Sequence, residues 1–323
     1  MVAPALRGKQ PLPELPPEYF WKSYKDPLTG KPFSAVAVKR SAHSIKSRDP
    51  DFGPRYDGIN PLWYQVIVAP SGFAAEDALF KRSPQMLLRH ADALREHIEG
   101  LPPQRDFNVV RDLPMACEAY SLALSLVGYL RLAKHEIASL ALRTSWLYRD
   151  WADEGNEAAA RQVLTMRRMA LEHYLVSYET EDISKLKIGG PGVGYLIAEL
   201  LREQGKFDES LRWFSRIVTD KAIGTEIKRL ARNQMDLCRE QRSTALDSGD
   251  YERPQPQRMT ERAVYQVYRD QAHWLNAQAE SSGLSASEVL RALIEAVKLS
   301  GIDVSRFGSE RELTDWLAKQ LGE

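Results

Sequence analysis

The amino-acid sequence predicts a mainly α protein: a stack of helical hairpins behind a small N-terminal β head, with a small helical unit at the C-terminus. Three observations predict it. Strand-forming residues cluster and partly alternate between residues 18 and 85, and from about Ser83 the apolar period becomes 3.6. The helical segments that follow are joined by short connections, as in antiparallel pairs. A linker from Ser248 to Arg258, carrying Pro254 and Pro256, sets off the last 65 residues. The expected domains are 1–85, 86–247 and 259–323.

In the head, Phe33 to Val38 alternates large and small residues, and Leu62 to Ala69 is rich in strand formers. Between them, Ser47 to Pro61 carries Pro50, Gly53, Pro54 and Gly58, which oppose regular structure and require a defined loop. The simplest reading is two antiparallel strands joined by that loop. The proline-rich start, with Pro4, Pro11, Pro13, Pro16 and Pro17, reads as an extended arm.

The first helix is expected over Met86 to Ile98, with Leu87, Leu88, His90, Ala91, Leu94 and Ile98 near one face. Others are expected at about 112–132, 134–152, 156–179, 191–204, 207–219 and 224–242. The most specific stretch runs from Ile197 to Ile217. A helix carrying Ile197, Ala198 and Leu201 stops at Gly205, and the next presents Ser210, Phe214 and Ile217. Small residues at a helix crossing with an aromatic beside them resemble a tetratricopeptide unit. Trp146, Tyr148, Ala170 and Tyr174 give a looser copy, and Ala116 to Leu130 a looser one still. An irregular helical bundle is the alternative. Gly189-Gly-Pro-Gly-Val-Gly194 lacks the Gly-Lys-Ser/Thr ending of a phosphate loop and is read as a flexible connection.

In the last unit, Ala263 to Arg269 reads as a short strand, and Trp274 to Ile294 as two helices opened in part by a Ser285–Glu288 capping box. This order resembles a ribbon-helix-helix domain, with self-association as a homodimer and Gln266 and Arg269 as DNA readers. A plain helical module is the alternative.

Composition narrows the function classes. There are 44 Lys plus Arg against 44 Asp plus Glu, so no bulk field draws the chain to nucleic acid or an anionic membrane. No apolar run approaches the roughly 20 residues of a membrane span, and the prolines before Glu18 leave no signal-peptide core. Cys117 and Cys238 are far apart in helical patterns and give no disulfide framework, which points to a reducing cytoplasm. No metal-ligand spacing, nucleophile elbow or nucleophile–base pairing is visible, so no catalytic residue, metal or cofactor is expected.

The head and helices together resemble a bacterial family known as domain of unknown function 2225, over about residues 20–242. That family places a Cys-Pro-x-Cys-Gly knuckle, an Arg/Asp-rich loop, a second knuckle and tetratricopeptide-like helices in order. Here the first knuckle position reads Asp26-Pro-Leu-Thr-Gly30 and the second Ala69-Pro-Ser-Gly-Phe73, both without cysteine. Arg48, Asp49, Asp51, Tyr56, Gly58, Asn60, Pro61 and Tyr64 match the loop. The resemblance implies a degenerate zinc-ribbon-like head and no particular activity. A structural zinc needs four soft or borderline ligands, which Asp26, Thr29 and Ser71 do not supply. Trp21, Tyr24, Phe33, Trp63, Tyr64 and Phe73 are then the candidates to hold the head by packing.

The loop is the expected binding site. Arg40, His43, Lys46, Arg48 and Arg55 lie near Asp49, Asp51, Tyr56 and Asn60. Arginine forks match phosphate oxygens and the guanine edge, aspartate accepts from guanine hydrogens, and tyrosine offers a stacking face. Those chemistries suit a small anion such as a guanine cyclic dinucleotide (c-di-GMP). The competing reading is that these charges pair with one another to hold the loop. The function expected is a non-enzymatic regulatory receptor or adaptor, with a protein partner in the helical groove. The rivals are a DNA-associated regulator and a structural scaffold.

Overall fold

The computed structural model describes residues 12–102, 105–249, Tyr251, 269–282, 289–290, 293 and 316. The chain divides into two units, Met1–Pro254 and Gln255–Glu323. In the second, a helix over Arg269–Ser282 is described. Of the strand expected over 263–269, residues 263–268 lie outside the described residues, and Arg269 belongs to that helix.

The head is built from local hairpins. β1 (Tyr19–Lys25) pairs antiparallel with β2 (Pro32–Val38), β3 (His43–Arg48) with β4 (Pro54–Gly58), and β5 (Val66–Val68) with β6 (Ala74–Glu76). Phe33–Val38 and Leu62–Ala69 therefore do not pair with each other as expected. Each finds a partner across a tight turn, where loop closure costs least. The supposed irregular loop is itself a hairpin, with a register shift between Ile45 and Ser47 that absorbs one extra residue.

Two glycine turns stand at the positions where the resemblance places knuckles. In the first, the Asp26 carbonyl accepts from Gly30 N at 2.8 Å, and Asp26 Oδ1 accepts from Leu28 N at 2.9 Å. In the second, Ala69 O accepts from Gly72 N at 2.8 Å. Gly30 and Gly72 have φ of 71° and 85°, a region glycine enters without strain. The turns are tied directly: Ser71 Oγ donates to Asp26 Oδ1 at 3.0 Å, with Asp26 only 2 % exposed. Packing supplies the rest. Tyr24, Phe33, Phe73 and Phe80 form a ring cluster with centroids 5.4–6.0 Å apart.

One core crosses the boundary drawn at residue 85. Leu62, Val66 and Phe73 of the head share a cluster with Leu113, Ala116, Tyr120 and Leu126 of α3 (Leu113–Leu126). The short α1 (Pro84–Leu87) and α2 (Ala91–Glu99) replace the single helix expected over 86–98. The break has a cause: Leu88 bridges to Leu130, with Arg89 N on Tyr129 O and Arg131 N on Leu87 O, each at 2.8 Å.

Antiparallel helices follow: α4 (Lys134–Asp153), α5 (Glu157–Thr180), α6 (Gly189–Glu203), α7 (Phe207–Thr219) and α8 (Thr225–Ser248). α6 is the central one, buried without interruption from Gly192 to Arg202, as expected of a helix covered on all sides. The glycine run is no flexible connection; it forms the first turns of α6. At the α6–α7 crossing Ser210 Oγ donates to Ala198 O at 2.8 Å, and Phe214 and Ile217 are buried beside Ala198 and Tyr195. Beyond α8 the start of the expected linker is docked, since Tyr251 OH reaches Asp208 Oδ2 at 2.9 Å.

The head should therefore be independent of metal. A chelator is expected to leave the melting temperature unchanged, and elemental analysis to find no stoichiometric zinc. Asp26→Ala should lower stability by about 1–3 kcal/mol, because it orphans the Leu28 amide and the Ser71 hydroxyl. Loss of the fold on chelation would refute this account.

Candidate functional site

The charged residues read from the sequence fall into two groups. Arg40, Lys46 and Arg48 are exposed on or beside β3. Arg48 Nη1 donates to Phe52 O at 3.2 Å and so caps the hairpin tip. His43 and Tyr56 meet edge to face at 5.8 Å on neighbouring strands, and burial raises the Tyr56 hydroxyl above its ordinary range. Asp49, Asp51, Arg55 and Asn60 instead point into the helices.

Asp51 is the centre of that second group and only 1 % exposed. Its Oδ1 accepts from Gly53 N at 2.9 Å. Its Oδ2 accepts from Trp146 Nε1 at 2.9 Å and Arg167 Nη2 at 3.0 Å. Asp49 Oδ2 accepts from Arg149 Nη1 at 2.7 Å, and Arg149 Nη2 donates to Pro54 O at 3.2 Å and Asp150 Oδ1 at 2.8 Å. Arg55 lies between Asp49, Asp150 and Asp153. Burial weakens its protonation, but Asp153 and Asp49 outweigh that and hold it above the usual arginine range. Asn60 Nδ2 donates to Asp150 Oδ2 at 3.1 Å while its Oδ1 caps Leu62 N. Phe52, at φ 64°, stacks on Tyr195 at 4.9 Å.

These contacts clamp the β3–β4 tip onto α4, α5 and α6. Sequence reasoning missed the helical half: Trp146, Arg149, Asp150, Asp153, Arg167, Tyr195 and Glu203. A signal was present. Trp146, Arg149, Asp150 and Asp153 are spaced i, i+3, i+4, i+7 and share one face of α4, so an aromatic and three charges mark a polar docking stripe.

The network runs on through Arg167 to Glu203, Nη1 to Oε1 at 3.0 Å. Glu203 also lines an open groove of about 530 Å³ between α6 and α8, with Arg202, Phe207, Leu237, Gln241 and Thr244. Burial pushes the Glu203 carboxyl up to about 7; Arg167 opposes this, while Asp51 and Glu199 add to it. Its Oε2 is buried with no hydrogen-bond partner. A larger groove of about 870 Å³ lies elsewhere, between Leu12, Trp21, Ser71, Ile98 and Phe107.

Among the described residues, no group of three or more His, Cys, Asp or Glu is arranged to hold a metal ion, and no helix is long and apolar enough to cross a membrane. Fold and site together define a mainly helical protein with a small β head clamped to its helices by paired charges. The chain belongs to the family described as uncharacterized protein conserved in bacteria (DUF2225), which matches residues 19–238. No curated protein and no solved structure matches the chain.

Glu203 gives the site a pH dependence. Its folded pKa is raised above the ordinary carboxyl range, so its contribution to stability is present at low pH and lost as pH rises through about 7. Glu203→Gln, which mimics the protonated acid, should melt higher than the parent at pH 8 and equally at pH 4. Melting curves across that range check it, and equal melting temperatures at pH 8 would contradict it.

Proposed function

We propose that this protein is a non-enzymatic regulatory receptor or adaptor. In this reading the helical body takes a protein segment, and the β3–β4 hairpin senses a small anionic ligand, a guanine cyclic dinucleotide such as c-di-GMP being the best chemical fit. One observation carries the reading. Among the described residues the hairpin pairs with no other strand; it shows Arg40, Lys46 and Arg48 to solvent and is fastened to three helices by its tip. A ligand gathered by the exposed cations would bear directly on the clamp, which couples head to body.

The tip acids already have arginine partners, so the exposed cations are the groups left to meet an anion. Tyr56 adds an aromatic face on the neighbouring strand. Buried, unpaired Cys117 and Cys238 suit a reducing cytoplasm, and that setting belongs to the same proposal.

A thermal-shift screen of linear and cyclic nucleotides tests it. A ligand at 100 times its Kd should add about 2.7 kcal/mol to stability. Arg48→Ala should then weaken that ligand roughly tenfold, the value of one charge-assisted contact, with circular dichroism unchanged. A lowered melting temperature with intact affinity would instead make Arg48 a clasp on the Phe52 carbonyl. No shift with any nucleotide would remove the ligand from the proposal.

A further inference from the structure

The tip of the β3–β4 hairpin sits in a recess of the helices, away from the head's own core. The recess offers two cations and two aromatic rings from three helices: Trp146 and Arg149 of α4, Arg167 of α5 and Tyr195 of α6. Each meets one feature of the tip. Asp49 takes Arg149 at 2.7 Å, Asp51 takes Arg167 at 3.0 Å and the Trp146 indole at 2.9 Å, and Phe52 covers Tyr195 at 4.9 Å. The fit is that of a receptor surface and a short acidic-aromatic peptide.

Three features make the tip an occupant rather than a pillar. First, β3 and β4 form a sheet of their own, and a lone two-stranded hairpin is marginally stable in water, so its seating depends on these contacts. Second, Phe52 holds φ of 64°, strained for a residue with a side chain, and lifting the tip releases it. Third, the ion pairs beneath the tip lead to an open surface. Arg167 hands on to Glu203, which also lines the 530 Å³ groove between α6 and α8.

We propose that the hairpin tip is an internal ligand, and that the surface beneath it is the docking site for a partner segment of the same chemistry. That segment carries two carboxylates one residue apart with an aromatic directly after the second, and it displaces the tip on binding. The inference rests on the reading that the helices take a protein segment, and it names the site and the determinant. While the tip is seated, the apparent affinity for a partner is reduced by the fraction of molecules with the recess open.

The test uses the full chain and a head-to-tail cyclic peptide of residues 47–56 as the probe, with binding read by isothermal titration calorimetry. Asp51→Ser combined with Phe52→Ser removes the contacts to Trp146, Arg167 and Tyr195 and leaves Asp49 on Arg149, which loosens the tip without touching the helical walls. The variant should keep its helical circular dichroism and bind the peptide at least tenfold more tightly than the parent. A peptide with both aspartates replaced by asparagine should bind at least tenfold more weakly than the acidic one. Three results would overturn the proposal: a folded variant that does not bind the peptide, equal affinity in variant and parent, or loss of helical structure in the variant. The nucleotide screen reads the exposed face of the hairpin, so failure of the titration with that ligand still bound removes the docking site and leaves the receptor reading standing. Failure of both removes the receptor reading too.

Discussion

Asp51 sets the terms on which head and helices meet. A carboxylate taken out of water costs several kcal/mol unless donors replace its hydration. At 1 % exposure Asp51 has three donors, one from its own turn and two from the helical body. It can dock in one place, where Trp146 and Arg167 wait together. That requirement fixes the tip, the tip fixes Phe52 on Tyr195, and the exposed cations of β3 are held outward as a consequence.

The same logic recurs wherever charge goes inside. Arg111, 3 % exposed, donates to the carbonyls of Phe107, Trp63 and Val66 at 2.8–3.0 Å. Burial lowers its pKa to about 10, yet it stays cationic at neutral pH and cross-braces the head against the segment leading into α3. Arg143 pairs with Glu76 and carries β6 onto α4. Glu199 and Arg202 pair inside α6 at 2.5 Å. Head and helices thus share apolar surface in one core, and buried ion pairs decide their register against each other. Such pairs are weak contributors to net stability, but they penalise every arrangement that separates them.

The two turns of the head close on their own backbone. The turn geometry depends on backbone hydrogen bonds and on glycines at positive φ, and both persist. The turns also need a link to each other. One hydrogen bond from Ser71 to Asp26 makes that link here, backed by the Tyr24, Phe33, Phe73 and Phe80 rings.

The sequence by itself determined the mainly helical class, the β character of the head, the α7 bounds at Phe207 and Thr219, and the Ser210–Phe214–Ile217 face. These follow from local period, capping and turn chemistry, which act over a few residues. It also marked Arg40 to Asn60 as a segment of unusual charge. Only tertiary structure decided the rest. Which strands pair depends on partners distant in sequence, so the β3–β4 hairpin was hidden behind its prolines and bulge. The break at Leu88 exists because residues 129–131 offer it backbone partners. The glycine run is helical where its end is packed: Gly192 to Gly194 are buried, and a side-chain carbon at Gly194 would meet Tyr178 at 3.6 Å and Trp213 at 3.8 Å. Above all, the fate of Asp49, Asp51 and Arg55 depended on Arg149, Asp150 and Arg167, about a hundred residues away. Charge is visible in a sequence, but whether it faces solvent or a waiting counter-charge is settled by packing.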